Sequence, residues 1–400
     1  MQHRYQVGIL GRTGDAAAGF VATLQKRFAD LGLPADALSV LDETSIGARD
    51  RRAAFVAVFF GHPGATDAAH PVLKDLVADS VVIFPVVDDL ARFTADIPAA
   101  LHAYNGLATD PADPGAERLA GLVLEALRLL RASRRLFVSY KRSEARGAAI
   151  QVYETMDART FDTFLDTHSI KPGEPFQDEL WHRLADTDVM ILLDTPGFRE
   201  SRWTREELAR ANATNLQILQ VLWPRPPIPA AAEEMQREVE KQAAFSRFLQ
   251  LGPDDFETAQ MVGPEARLRD ATLERIAVAA ESLRARALAA RNAYLVDTFC
   301  KRARAQKLAP VVQSRLIALA RPDGPPLTVV PAVGVPDARL YQQISEEFPP
   351  SGGGEPPPLW LLYDERGIRD AWLAHLAFLS RHVPIRAVPV IDSDAALREI

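Results

Sequence analysis

Short runs of apolar, mostly β-branched residues recur along this chain with amphipathic stretches between them, and this alternation constrains the fold more than any other feature. Val7-Gly-Ile-Leu10, Leu38-Ser-Val-Leu41, Ala54-Phe-Val-Ala-Val-Phe-Phe60 and Val81-Val-Ile-Phe-Pro-Val-Val87 read as strands, with helical patterns over 16–30 and 71–77. Strands that are apolar throughout need cover on both faces, the situation of a parallel sheet flanked by helices. A helix is also predicted over 116–131, where Leu119, Leu122, Val123, Ala126, Leu127 and Leu130 share one face. Residues 1–132 are therefore expected to form one α/β domain.

The alternation restarts at Leu136 and closes at Val221-Leu-Trp223. Pro224-Arg-Pro-Pro-Ile-Pro229 then places four prolines in six residues, which no strand or helix interior accepts. A domain edge is expected there, so 133–230 reads as a second domain. Beyond it, 231–251 and 264–305 read as helix, while Leu327-Thr-Val-Val330, Leu359-Trp-Leu-Leu-Tyr363 and Ile385-Arg-Ala-Val-Pro-Val-Ile391 read as strands. Residues 231–400 are expected to be a helical segment plus a small α/β domain. Single hydrophobic cores stop growing well short of 400 residues, so two or three domains are expected. The expected fold class is α/β and multi-domain, a central parallel sheet flanked by two further α/β units.

Composition narrows the function classes. Hydrophobic content of 48% with 25% charged residues suits a soluble globular protein. The net charge of −7 argues against a general grip on nucleic-acid phosphates. No apolar run approaches the ~20 residues that span a bilayer, so a membrane is not expected as a partner. Met1-Gln-His-Arg4 leads into a strand without the apolar core of a signal peptide, and a cytoplasmic location is expected. The single cysteine, Cys300, lies in a helical stretch and reads as a small buried hydrophobe.

The middle segment carries a series of motifs. Leu136-Phe-Val-Ser-Tyr140-Lys-Arg142 is an apolar strand running into a basic turn. Phe161-Asp-Thr-Phe-Leu-Asp166 and Ser169-Ile-Lys-Pro-Gly173-Glu-Pro-Phe176 follow, then an amphipathic stretch over 177–185 and the strand Asp188-Val-Met-Ile-Leu-Leu193. Phe198-Arg-Glu-Ser201-Arg-Trp203-Thr-Arg-Glu206-Glu207-Leu208 closes the series. In this order and spacing, residues 134–223 resemble the TIR domain, which implies a flavodoxin-like parallel sheet. TIR domains divide into protein–protein adaptors and NAD-cleaving enzymes. Glu207, four positions after Trp203 with Ser201 before it, matches the enzymes, as does Arg142, two positions after Tyr140. The resemblance implies Glu207 as the catalytic residue. It implies Ser139, Tyr140, Arg142, Ile170, Pro172, Gly173, Phe176, Ser201 and Trp203 as the residues around NAD+, which is substrate and not a resident cofactor. It also implies self-association through TIR domains and a role in bacterial defence against phage. The alternatives are a synthase of cyclic or modified ADP-ribose signals and a non-enzymatic TIR–TIR interaction module.

The chemistry agrees with one carboxylate. Nicotinamide in NAD+ is a cationic pyridinium and departs neutral, so no general acid is needed where ordinary glycosidases use two carboxyl groups. Positive charge passes to the ribose as the bond stretches, and a fixed carboxylate stabilises it. Pro172 and Gly173 suit a shaped rim, and Ser139 and Arg142 lie by the carboxyl end of a strand, where open α/β sheets bind ligands. Plainer readings stay open: Glu206 and Glu207 as a solvated acidic pair in a helix's first turn, Trp203 as core, and 141–146 as an ordinary charged turn. Asp166, His168 and Asp178 fit no common zinc spacing and read as surface polarity, as does His182, so no metal is expected.

Outside this segment the signals are weaker. Gly8, Gly11 and Gly14 suit either a phosphate cradle on a helix N-terminus or a tight turn without a ligand. Asp42, Glu43, Asp88 and Asp89 end strands, as do Asp364, Glu365 and Arg366, and read equally as a site or as loop caps. From this arrangement the flanking domains, 1–132 among them, are expected to be sensor or oligomerisation units that receive a trigger or a partner protein or hold protomers together, and the middle domain to act.

Overall fold

The computed structural model describes residues 5–165, 176–198, 216–224, 246–313, 316–321, 324–349 and 358–400. The chain divides into two compact units: Met1–Ala132 with Ala277–Arg286, and Ser133–Ile276 with Ala287–Ile400. Among the described residues, three five-stranded sheets make the protein α/β.

The first unit contains β1 (Tyr5–Gly11), α1 (Asp15–Asp30), β2 (Leu38–Leu41), β3 (Ala54–Phe60), α2 (Val72–Ala78), β4 (Val82–Val87), α3 (Phe93–Asp96), β5 (Leu107–Ala108) and α4 (Glu117–Ala126). The strands run parallel in the order β2-β1-β3-β4-β5. Leu10, Ala57, Phe59, Leu73, Leu76 and Ile83 form the core on one face. Phe20, Leu24 and Phe28 of α1 are also buried. Helix α4 ends at Ala126, short of the expected 131, because Arg128 adopts a left-handed φ of 57° that no helix continues. Two glycines of the 8–14 motif have packing reasons. A Cβ on Gly8 would lie 2.6 Å from Ile46 Cδ1, and one on Gly11, whose φ is +76°, would lie 2.2 Å from the carbonyl oxygen of Phe60.

In the second unit, β6 (Arg135–Tyr140), α5 (Arg142–Asp157), β7 (Asp162–Leu165), α6 (Phe176–Asp186), β8 (Val189–Asp194), β9 (Gln217–Leu222) and β10 (Ser246–Gln250) build a parallel sheet in the order β10-β9-β8-β6-β7. This is the flavodoxin-like order, the same as in the first unit. Phe137, Met190, Leu192 and Ile218 from the strands pack with Leu180, Leu184 and Phe198. One expectation is overturned: residues 246–250, read as helix, are an edge strand hydrogen-bonded to β9. The proline-rich run therefore lies within the span of this sheet and not after it. Ser-Arg-Phe-Leu-Gln carries no alternation because an edge strand has only part of its surface covered; Phe248 is exposed.

The third sheet follows α7 (Asp270–Ala305). It comprises β11 (Val311–Gln313), β12 (Leu316–Leu319), β13 (Leu327–Pro331), β14 (Leu359–Tyr363) and β15 (Ile385–Pro389), in sequential order, with α8 (Ala338–Glu347), α9 (Asp370–His382) and α10 (Ser393–Leu397). The three expected strands pair in parallel, and an unforeseen antiparallel pair, β11 and β12, extends them. Cys300 is buried beside Phe299 and Trp360 in this core, and burial pushes its thiol pKa up, as expected of a small hydrophobe. No described helix is long and apolar enough to cross a membrane.

Candidate functional site

The middle sheet reverses its winding between β6 and β8: the chain leaves β6 toward β7 on one side, and β8 lies on the other. Loops diverge at such a switch point and leave a crevice at the carboxyl ends of the strands. Ser139 and Tyr140 are the last two residues of β6, and both side chains are buried. The Ser139 hydroxyl has no hydrogen-bond partner among the described residues, an uncommon state for a fully buried polar atom. Arg142 opens α5 and is exposed. Of these three expected site residues, the arginine is the one presented to solvent.

A compact polar tie crosses the switch point, and sequence reasoning missed it. Lys141 Nζ donates to Glu144 Oε1 at 2.7 Å and to the Gly197 carbonyl at 3.0 Å. The Gly197 N–H donates to Glu144 Oε2 at 2.9 Å. The turn after β8 is thus bound to the start of α5 by both a charge pair and main-chain hydrogen bonds. Helix α5 is kinked at Ala145, whose φ of −149° is not helical. The Glu144 carbonyl there accepts from Gly263 N–H at 2.8 Å, and Gly147 N–H donates to Pro264 O at 2.9 Å. The run 141–146 is therefore neither uniformly a ligand surface nor an ordinary charged turn. Lys141 and Glu144 are structural, Arg146 pairs with Glu265, and Arg142 faces outward.

Burial pushes the Glu144 carboxyl up, but hydrogen bonds from Lys141 and the Gly197 N–H, with the Lys141 charge, outweigh it and hold the group below the usual carboxylate range. A depressed carboxyl contributes stability that is fully present above its unfolded pKa and is lost as pH falls through the folded one. The tie is therefore expected closed at neutral pH and opening only under acid conditions, which carbon-detected NMR titration of Glu144 checks. A Cβ at Gly197 would fall 2.2 Å from Glu144 Oε1 and 2.3 Å from Lys141 Nζ. Both are the ends of flexible side chains, so Gly197→Ala is expected to part the tie while leaving the sheet folded. Stability should fall by about 1 kcal/mol, the net worth of a typical hydrogen bond, in urea melts. The Glu144 titration should move up in the same variant. An unmoved titration would show that the two side chains do not depend on Gly197.

Ile170, Pro172, Gly173, Ser201, Trp203 and Glu207 lie outside the described residues, as do Asp166 and His168. Phe176 is the first residue of α6. Among the described residues no group of three or more His, Cys, Asp or Glu side chains is placed to hold a metal ion.

A separate cleft opens at the opposite, amino-terminal edge of the same sheet. Arg135, Phe164, His182 and Asp186 face Asp337, Arg369 and Trp372 of the third-sheet region across about 210 Å³. His182, expected on a helix surface, packs beside the Trp372 ring at 5.5 Å. The volume falls below the roughly 300–1,000 Å³ usual for small-molecule sites, and Asp162 and Asp186 pair with Arg135. It is a poor match for a dinucleotide.

The other strand-end acids divide. Asp42 accepts from the main chain and hydroxyls of Thr44 and Ser45, which lowers its pKa to about 2. Asp89 caps the turn at 90–92, and Asp88 pairs bidentately with Arg12. Asp364 pairs with Arg366, and burial pushes the neighbouring Glu365 up. Apart from Glu365, whose Oε2 is buried without a hydrogen-bond partner among the described residues, these are caps and pairs. Glu43 differs, because its carboxylate meets His70 Nδ1.

A family model described as the TIR domain matches residues 136–249, a span that includes β10. No curated protein matches the chain. Among solved structures, the chain is similar to the C-terminal domain of glucosamine-fructose-6-phosphate aminotransferase from Francisella tularensis, at 13% identity, covering 72% of this chain and 84% of that one, with a TM-score of 0.20. It is also similar to the pyruvate reductase of Chlamydomonas reinhardtii, at 15% identity over 74% of this chain and 97% of that one, with a TM-score of 0.18. Likenesses this low carry no argument about fold or function.

Proposed function

Because residues 136–249 form a TIR domain, we propose that the chain cleaves the nicotinamide–ribose bond of NAD+, with Glu207 as the catalytic carboxylate. The observation that carries this reading is the spacing of Trp203 and Glu207, four positions apart in the segment that follows β8, with Ser201 before them. That segment leaves the strand bordering the switch point, where open sheets of this order take ligands.

Glu207 stabilises the cationic ribose as neutral nicotinamide departs, and Trp203 walls the pocket. Arg142, exposed at the start of α5, meets the pyrophosphate, since a guanidinium binds phosphate oxygens in pairs. Ser139 and Tyr140 form the floor, and Ile170, Pro172, Gly173, Phe176 and Ser201 the rim. Water attacking the ribose anomeric carbon yields ADP-ribose, nicotinamide and a proton. Neighbouring TIR domains complete the pocket, so turnover rises on self-association, and the flanking domains receive the trigger or partner protein. The setting is a bacterial defence response in which NAD+ is depleted.

The test is to incubate NAD+ with the protein at rising concentration, and tethered on a surface, and to separate the products by chromatography. Nicotinamide with an equal amount of ADP-ribose is expected, at a rate per molecule that falls on dilution. Capture of the ribose by an adenine nitrogen would appear instead as a cyclic product. An absence of nicotinamide at every concentration would leave the domain an interaction module.

A further inference from the structure

The carboxyl edge of the first sheet holds a second cluster. His62 follows β3, His70 precedes α2 and Glu43 follows β2. The Nε2 atoms of His62 and His70 lie 3.0 Å apart. Glu43 Oε1 accepts from His70 Nδ1, and the Pro63 carbonyl lies 3.2 Å from His62 Nδ1. Each ring thus faces an oxygen acceptor with Nδ1, so each Nδ1 carries a hydrogen. Two neutral rings of that tautomer turn lone pairs toward each other, an arrangement made favourable by a positive species between them: a third proton or a metal ion.

We propose that His62 and His70 bind a divalent transition-metal ion through their Nε2 atoms, in a site open to further ligands. Three features suit the ion. Coordination needs a lone pair on both Nε2 atoms, and the oxygen acceptors at both Nδ1 atoms set both rings in that tautomer. Metal-binding histidines hold the remaining ring N–H on a carboxylate or a main-chain carbonyl, and this pair has one of each. An ion ~2.0–2.1 Å from each nitrogen in tetrahedral geometry sets them roughly 3.3 Å apart, so the rings would part slightly from the 3.0 Å observed, a spacing that a shared proton also fits.

The surroundings hold this geometry. The T-shaped contact of Phe59 with His70 has ring centroids 4.9 Å apart, and Phe59 also stacks on His62. The main-chain N–H of His62 donates to Asp96 O at 2.9 Å, fixing the loop after β3. The hydrogen bonds that Asp42 accepts from Thr44 and Ser45 shape the turn that carries Glu43. Asp42 and Asp96 are themselves engaged, the latter by Arg92, so the protein supplies two nitrogens and leaves the other positions to water or a ligand. His70 is buried while His62 is partly exposed, which gives those positions access to solvent. An all-imidazole donor set selects zinc, copper, nickel or cobalt over magnesium or calcium.

Full-length protein without a histidine tag, stripped with a chelator, is titrated with Zn2+ against a competing indicator dye, and with Co2+ followed by visible absorption. One equivalent of Zn2+ is expected, with a Co2+ spectrum showing nitrogen ligation. His62→Gln and His70→Gln should each abolish both, and Glu43→Gln should weaken Zn2+ binding by about 10–100-fold. Circular dichroism checks folding. His62→Gln, on the more exposed ring, decides the matter should the buried His70→Gln unfold. The proposal is overturned if no stoichiometric Zn2+ binds, if binding survives both histidine changes, or if nitrogen NMR with excess Zn2+ finds a proton shared between the rings. These readouts do not involve NAD+, so they stand or fall separately from the proposed cleavage.

Discussion

Glu207→Gln should lower the rate of nicotinamide release at least about 100-fold, the scale on which one preorganised electrostatic group acts on a transition state. Glutamine keeps the shape and can still hydrogen-bond a ribose hydroxyl, but it lacks the charge that opposes the developing oxocarbenium ion. The loss should therefore fall on kcat and leave KM within a few-fold, because the ground-state ribose is neutral. Glu206→Gln supplies the control. It removes the adjacent charge, so an electrostatic effect that was merely regional would lower both variants alike. Equal rates for wild type and Glu207→Gln would end the assignment of this residue. A rise in KM with unchanged kcat would make it a binding group only.

The second large effect concerns the support of the site. Trp223→Ala should destabilise the second unit by about 3–5 kcal/mol, the range for deleting a buried large aromatic side chain. Trp223 is 1% exposed, meets Phe256 edge to face at 5.6 Å and donates its indole N–H to Met261 O at 2.7 Å. Its main-chain N–H donates to Asp194 O at the end of β8. Removing the ring leaves a cavity beside the strands that border the switch point and strands the Met261 carbonyl. Trp223→Phe refills most of the cavity but not the hydrogen bond, and about 1–3 kcal/mol should remain lost. Urea melts read by hydrogen exchange at β8 and β9 separate this unit from the other. A change below about 1 kcal/mol for the alanine variant would show that the Trp223 contacts carry little of the stability.

The parts of the fold that could be read from the residues are those with redundant signals. β6, β8 and β9 are largely buried on both faces, so most of their positions are apolar. Edge strands carry half that information. β10, with Arg247 and exposed Phe248, and β11, with exposed Val311 and Val312, resemble loop or helix because what makes them strands is a neighbour's hydrogen bonds. At the candidate site, Ser139, Tyr140 and Arg142 could be placed because they adjoin a clear strand. The tie of Lys141 and Glu144 to Gly197 could not, since it joins residues 53 positions apart from Glu144 to Gly197. Glu43, His62 and His70 likewise converge from three loops, with no spacing that marks them as a group.

The late arrival of β10 dictates how the middle domain can be isolated. A fragment cut at the proline-rich run would strip the terminal member from the sheet and uncover the flank of Gln-Ile-Leu-Gln-Val-Leu222, a row of unmet amides and carbonyls on an aliphatic ribbon. Such a piece is expected to recruit copies of itself and precipitate. Carrying the cut past Gln250 keeps that flank zipped, so insolubility of the shorter piece would report on where it was severed and not on any natural tendency to assemble.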